Sequence, residues 1–247
     1  MRLADILFTQ GFGSRRDCAG LIARGSVHID GRPRLDPQDD VPETGLVFSV
    51  DGQAWPYYAK ALLMLHKPAG YECSRQPRDH PGVLSLLPVP LQRRGMQPVG
   101  RLDQNTTGLL LLTDDGSLSH RLTSPKHHVA KVYEVRTKHP VATDLPQRLL
   151  DGVLLHDDPV PVRAAACEAT GEHALRLTIT DGRYHQVKRM VAAAGNRVDA
   201  LHRSAFGALT LPADLTSGAW RWLGAAEAAS LQGRQPTREP VLGDGAH

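Results

Sequence analysis

The sequence is short of cysteine, of long apolar runs and of net charge, and each shortage excludes something. Cys18, Cys73 and Cys167 are the three cysteines in 247 residues. An odd number at such wide spacing argues against a disulfide framework and a paired zinc knuckle, and fits three reduced thiols. The longest apolar runs, 61–65 and 109–112, fall far short of the roughly 20 residues that cross a bilayer. The opening Met1-Arg2-Leu3-Ala4-Asp5 lacks the apolar core of a signal peptide, so a cytoplasmic protein without a membrane partner is expected. Twelve histidines raise the question of metal. His127 and His128 are adjacent, however, whereas ligands on one helix face need spacings of three or four, and no metal site is expected. Gly11-Phe12-Gly13 lacks the preceding strand and the following spacing of a nucleotide loop, and no cofactor is expected.

What is present is a globular composition, 41% hydrophobic and 22% charged, with a formal net charge of +3. That total hides its distribution. Residues 1–34 carry six Arg and three Asp, and residues 35–58 carry five acids and no Lys or Arg. Segments 120–140 and 181–203 each hold five Lys or Arg, against one and two acids. Solvated faces ordinarily explain such runs. Three of them could also converge on one polyanion.

Along the chain, Leu3, Ile6 and Leu7 mark a first helix that stops at Gly11. Ser14 with Asp17 three residues on is a capping box for a second helix, whose stripe is Cys18, Leu21 and Ile22 and whose end is Gly25. Val27 and Ile29 then alternate into the hairpin signal Asp30-Gly31. Arg15 and Arg16 sit in the first turn of the second helix, where the dipole disfavours cations, and together with that terminus they suit a phosphate. A tolerated surface pair is the alternative. The run from Arg2-Leu3-Ala4-Asp5 through Gly13-Ser14-Arg15-Arg16 to Ile29-Asp30-Gly31 resembles the small RNA-binding module first known from a small-subunit ribosomal protein. The resemblance implies that Arg2, Arg15, Arg16 and Arg24 meet RNA.

Pro56-Tyr57-Tyr58 reads as a boundary. Beyond it, strands at 61–66, 109–113, 129–136, 153–155, 174–180, 198–201 and 206–211 alternate irregularly with helices near 117–123, 141–150 and 184–194. Hairpin turns are expected at Asp115-Gly116 and Asp181-Gly182. This order predicts an α+β fold, a small N-terminal αβ module (1–58) before a larger domain (59–232) with a mainly antiparallel mixed sheet, and a polar tail (233–247). No long apolar stripe demands a partner copy, and a monomer is expected.

Three later segments carry candidate chemistry. Gly100-Arg101-Leu102-Asp103-Gln104-Asn105-Thr106-Thr107-Gly108 is a polar loop feeding the apolar strand Leu109–Leu112, so its carboxylate is held by the scaffold yet open to a cleft. Lys131-Val132-Tyr133-Glu134-Val135 is a strand with Lys131, Tyr133 and Val135 on one face. Leu175–Ile179 leads through Asp181-Gly182 to a helix with an apolar stripe of Val187, Met190, Val191 and Ala194, and His185, Lys188 and Arg189 on another face. Read singly, each has a bland explanation: an ion pair, a packed tyrosine, a solvated helix face.

Together, and in this order, the three segments resemble the signature motifs of the pseudouridine synthases, and the front module is typical of one branch of them. His66-Lys67-Pro68-Ala69-Gly70-Tyr71, His80-Pro81-Gly82-Val83-Leu84 and Thr123–His128 are most similar to the small-subunit rRNA enzymes. The resemblance implies isomerisation of a uridine in 16S rRNA, at uridine 516 in reference bacterial numbering, with 16S rRNA or a small-subunit assembly intermediate as partner. It assigns the carboxylate to Asp103, the ring over the uracil to Tyr133, the pocket floor to Leu177 and the cation beside the carboxylate to Lys188. Arg101 would assist extrusion of the nucleotide, and Lys131, Arg183, His185 and Arg189 would touch RNA. The sequence departs from the family at His66, Asp181 and Ser204-Ala205-Phe206. Alternatives are a 23S enzyme of the same branch, a non-catalytic ribosome-assembly factor, and a metal-dependent nuclease using Asp114 and Asp115 with Asp103.

Overall fold

The computed structural model describes residues 1–231 other than Arg75 and Asp157; the expected tail at 233–247 lies outside the described residues. The described residues form two compact units, 1–121 with 215–221, and 122–214 with 222–231.

The first unit opens with helix α1 (Leu3–Thr9), whose Leu3, Ile6 and Leu7 are fully buried. Helix α2 (Arg15–Ala23) starts on the expected capping box: Asp17 N donates to Ser14 Oγ, and Ser14 N donates to Asp17 Oδ2. Cys18 and Ile22 are buried, but Leu21 is half-exposed, so the inward stripe is narrower than predicted. Strands β1 (Val27–Ile29) and β2 (Arg32–Pro33) are joined at Asp30 and Gly31, both at positive φ, 51° and 71°. Those angles are what a two-residue hairpin turn requires. A second hairpin joins β3 (Val47–Val50) to β4 (Gln53–Pro56) through Asp51-Gly52, giving the order β2-β1-β3-β4.

Still in the first unit, β5 (Leu62–Lys67) leads to the short helix α3 (Val89–Arg93), β6 (Gln97–Val99) and β7 (Thr107–Thr113). β7 pairs antiparallel with both β5 and β6. Leu109–Leu112 are fully buried, which accounts for a continuous apolar run rather than an alternating one. Each such leucine contributes about 1.5–3 kcal/mol. Arg94 binds the N-terminal segment to this sheet: its guanidinium donates to Asp114 Oδ2 (2.7 Å), Tyr58 O (2.6 Å) and Gln10 Oε1. Asp114 Oδ1 accepts in turn from Ala61 N. Asp115-Gly116 is not the expected hairpin. Asp115 Oδ1 accepts from Ser117 N and Leu118 N, capping helix α4 (Gly116–Thr123).

The second unit contains β8 (Lys131–Thr137), α5 (Leu145–Asp151), β9 (Ala166–Gly171), β10 (Ala174–Ile179), α6 (Gln186–Ala193), β11 (Val198–Phe206) and β12 (Leu209–Thr210). Its sheet is antiparallel in the order β11-β8-β10-β9. The strands expected at 198–201 and 206–211 are rearranged. β11 runs unbroken across 198–206, with register shifts at 198–200 and 203–205, because bulges carry the ladder past residues that break the alternation. The strand expected at 153–155 is reduced, among the described residues, to the isolated bridge Val153↔Val162. β9 is almost wholly exposed, so it has no apolar alternation to announce it. Asp181-Gly182 is again not a hairpin: it leads from β10 toward α6, with Asp181 Oδ1 accepting from Gln186 Nε2 (2.6 Å). Last come β13 (Trp220–Trp222) and α7 (Ala225–Leu231). Just before β13, within the first unit, His66 N donates to Ala219 O and Gly218 N to His66 O.

Candidate active site

Asp103 lies in the loop between β6 and β7, half-buried, with Leu102 buried and Arg101 exposed. Leu102 is enclosed while its two polar neighbours keep some exposed surface, the alternation expected of extended backbone. Residues 103–106 close a turn, with Thr106 N donating to Asp103 O (3.0 Å). Gly70 N donates to Gln104 O (3.0 Å).

Lys67, in sequence no more than one letter of the motif around His66, ends β5 with no exposed surface. Its ammonium donates to Pro68 O (3.0 Å), Asp103 O (3.2 Å), Gln104 O (3.0 Å) and Thr106 O (2.9 Å). A buried ammonium is costly unless hydrogen-bonded, and each such bond to a charged group contributes about 1.5–3 kcal/mol. A lysine closing the apolar run Leu62–Leu65 is the one signal the sequence carries of it.

The second unit places Tyr133 and Leu177 directly opposite each other on β8 and β10, and Arg203 of β11 opposite Tyr133 on the other side. Cross-strand partners share a face. All three are buried, Tyr133 at 7%, Leu177 at 0% and Arg203 at 1% exposure. The Arg203 guanidinium also lies 5.2 Å from the Phe206 ring centroid. Sequence reasoning misses Arg203, because an arginine at a bulged position of a strand looks like a surface residue. Helix α6 buries Val187, Met190 and Val191, as the stripe predicts, and leaves Lys188 and Arg189 half-buried.

The residues expected to touch RNA stand in different states. Lys131 is partly buried, and its ammonium donates to Val129 O (2.8 Å), Thr180 O (3.3 Å) and Asp181 O (3.4 Å). Burial, helped by the Arg203 charge and opposed by Asp181, lowers its pKa to about 8. Arg183 pairs with Asp158 and with Asp181. His185 adopts a left-handed backbone (φ 48°) and stacks on the exposed ring of Tyr184, and Arg189 donates to Tyr184 O. In the first unit, Arg2 bonds Gln38 and Asp5, Arg15 pairs with Asp5 and covers the Phe8 ring, Arg24 donates to Ser26 Oγ, and Arg16 is exposed. Asp103 and Arg101 thus belong to one unit, and Tyr133, Leu177 and Lys188 to the other.

Other groups are committed to structure. Asp114 and Asp115, the carboxylates a metal-dependent nuclease would recruit, hold Arg94 and cap α4. Burial pushes the Cys18 and Cys167 thiols up to about 11, the range of inert structural cysteines.

The comparisons with known proteins cover both parts of the chain. A family described as RNA pseudouridylate synthase matches residues 61–193, and an S4 domain matches residues 1–47. The ribosomal small subunit pseudouridine synthase A of Escherichia coli (strain K12) is 44% identical over 238 residues, covering 94% of this chain and 100% of that protein. The protein of the same name from Yersinia pestis is 44% identical, over 94% of this chain and 98% of its own length. A crystal structure of a pseudouridylate synthase superposes with a TM-score of 0.67 at 34% identity, over 94% of this chain and 99% of that one.

Proposed function

The chain belongs to the RNA pseudouridylate synthase family, and from that premise we propose that it isomerises uridine 516, in reference bacterial numbering, of 16S rRNA. The observation that carries this reading is the near full-length match to relatives named for the ribosomal small subunit. Residues 1–58 act as the RNA-holding module, 59–232 as the catalytic domain, and the enzyme works as a cytoplasmic monomer on rRNA or an assembly intermediate.

Converting uridine to pseudouridine breaks the C1′–N1 bond, turns the uracil, joins C1′ to C5 and, in net terms, takes the proton from C5 and leaves one on N1. Atoms and electrons balance within the nucleotide, so no second substrate is consumed. One ionised carboxylate suffices, either attacking C1′ or removing a neighbouring sugar proton, and Asp103 takes that part. A carboxylate enclosed with the flipped nucleotide tends to protonate unless a cation attends it, and Lys188 is that cation. Tyr133 stacks on the uracil, which is worth about 1–3 kcal/mol for a base on an aromatic ring. Leu177 forms the floor. Arg101 contacts the backbone of the extruded nucleotide. Flipping costs a few kcal/mol, offset by phosphate contacts from the basic segments.

Mapping pseudouridine in 16S and 23S rRNA from cells with and without the protein tests the target. The expected result is one 16S position lost on deletion; loss from 23S rRNA alone overturns the small-subunit reading. Asp103→Asn is expected to slow isomerisation by at least about 1000-fold, within the span of acid–base contributions, while RNA binding survives. A normal rate removes Asp103 from its role.

A further inference from the structure

The boundary between the RNA-holding module and the rest of its unit is fastened at almost every residue. Tyr57 N donates to Leu46 O (2.8 Å) on the module side. Tyr58 is bonded through both backbone groups to the side-chain amide of Gln10, the fully enclosed residue that follows α1: Tyr58 N donates to Gln10 Oε1 (3.4 Å), and Gln10 Nε2 donates to Tyr58 O (3.1 Å). Tyr58 O and Ala59 O also accept from Arg94 Nη2 (2.6 and 3.4 Å). Ala61 N donates to Asp114 Oδ1 (2.7 Å), and Ala61 O accepts from Thr113 Oγ1 (2.6 Å). Arg94 closes the set, with Nε on Asp114 Oδ2 and Nη1 on Gln10 Oε1, and its side chain is 2% exposed.

A second contact is steric. Gly11 has φ +89°, and a methyl group there would overlap the backbone carbonyl of Pro90 in α3, so the end of α1 lies against α3 at a distance that glycine allows. Docking a module for stability alone calls for hydrocarbon. An apolar contact can slide and repack, whereas a charged network of directional bonds has one arrangement. Burying the Arg94–Asp114 pair is a costly route to stability and a direct route to a single geometry. Asp103 belongs to the same unit and lies just before β7, and Asp114 lies just after it. The module and the loop of the proposed carboxylate are thus tied to opposite ends of one strand. We propose that Arg94, with Gln10 and Gly11, is a specificity-determining latch. It sets the span from the arginine-bearing start of α2 to Asp103, so that RNA held on the module presents one uridine to the carboxylate. This role rests on the parts proposed for the module and for Asp103.

The test compares Gln10→Ala, Arg94→Met and Arg94→Lys with Asp103→Asn and, as a control for lost stability alone, with Leu149→Ala, which opens a core cavity under α5 of the second unit. Single-turnover rates and the positions of pseudouridine are read on the 16S rRNA of a small-subunit assembly intermediate. Each variant is used at a temperature where circular dichroism shows it folded, with RNA affinity measured in parallel. Spin labels attached through Ala54→Cys and Ser117→Cys, both at exposed positions, in a Cys167→Ser background, report the distance from module to sheet. The wild type should give one narrow distance, which Gln10→Ala and Arg94→Met broaden. A misplacement near 1 Å costs about 100-fold, so a loosened module is expected to slow the rate constant by about 10- to 100-fold and to raise the share of pseudouridine at other uridines. RNA affinity should stay within about threefold of wild type, because the lost interaction acts on presentation and not on holding. Arg94→Lys keeps a charge for Asp114 without the fork and should recover part of both effects. Leu149→Ala should keep the wild-type distance, rate and target.

A broadened distance with the target choice unchanged overturns the latch as a determinant of specificity, and so does a slowed rate at a narrow distance. If neither distance nor rate moves in Gln10→Ala and Arg94→Met while Asp103→Asn is inactive, the latch is overturned and the reading of Asp103 stands. If Asp103→Asn retains the normal rate, that reading fails and the latch fails with it. A loss confined to RNA affinity, or the failure of all three latch variants to fold, makes the network a binding or folding element and overturns the proposal.

Discussion

Arg15 and Arg16 stand exposed at the start of α2, whereas Lys67 and Lys131 are drawn in behind backbone carbonyls. All four count equally toward a basic sequence. Arg16 keeps its charge in water and Arg15 shares its own with Asp5 at the surface, so both stay within reach of a polyanion and are weakened by salt. The lysines spend theirs on carbonyl oxygens, which shapes a turn and leaves little field for RNA. Charge counts thus overstate the RNA-facing surface of the 120–140 segment and understate what a single buried cation does for the Asp103 turn.

Three variants sharpen or break that contrast. The largest effect is expected from replacing Arg15 and Arg16 together with Ala. Affinity for small-subunit rRNA should fall by about 10-fold or more at low salt, and the slope of log K against log[salt] should flatten by about one to two. Melting should change little; an unchanged salt slope would remove this helix start from the RNA path. Ser14→Ala should lower stability by about 1 kcal/mol through loss of the N-cap, read by urea titration, with a smaller loss of RNA affinity as the arginine-bearing turn frays. No change in either would deny that the cap orders this turn.

The smallest effect concerns Lys131. Its pKa is about 8 in the folded protein, against an ordinary lysine value of 10.5. Below pH 8 both states hold the proton, and between pH 8 and 10.5 the unfolded chain holds more of it. The wild type should therefore gain stability as pH rises through that window, by less than about 1 kcal/mol at a half-buried site screened by solvent. Lys131→Met should lack this gain in melting curves taken at successive pH values. If the two proteins run parallel, the ammonium is solvated and can serve RNA after all.

The features legible in the sequence are those that a few neighbouring residues decide. The capping box at Ser14 and Asp17, the Asp30-Gly31 turn and the buried Leu109–Leu112 strand come from local donors, positive φ and a lack of polar side chains. Asp115-Gly116 and Asp181-Gly182 mislead because an acid before glycine serves a hairpin or a helix entry equally well, and the next segment of chain makes the choice. β9 is not legible because an exposed strand is held by its hydrogen bonds to β10 rather than by its own side chains. Lys67 and Arg203 are hidden for different reasons: the apolar run before Lys67 hints at burial but not at the carbonyls that receive its charge, and nothing within a few residues of Arg203 shows that its charge will be buried.

The sequence by itself determined the α+β class, the N-terminal helix pair and the motif that presents Asp103. It also set the amount and placement of charge along the chain. The tertiary structure alone decided which cations stay in water and which are enclosed. Enclosure depends on carbonyls brought together from residues 68 and 103–106, or from 129 and 180–181, and that convergence exists only once strands distant in sequence have paired.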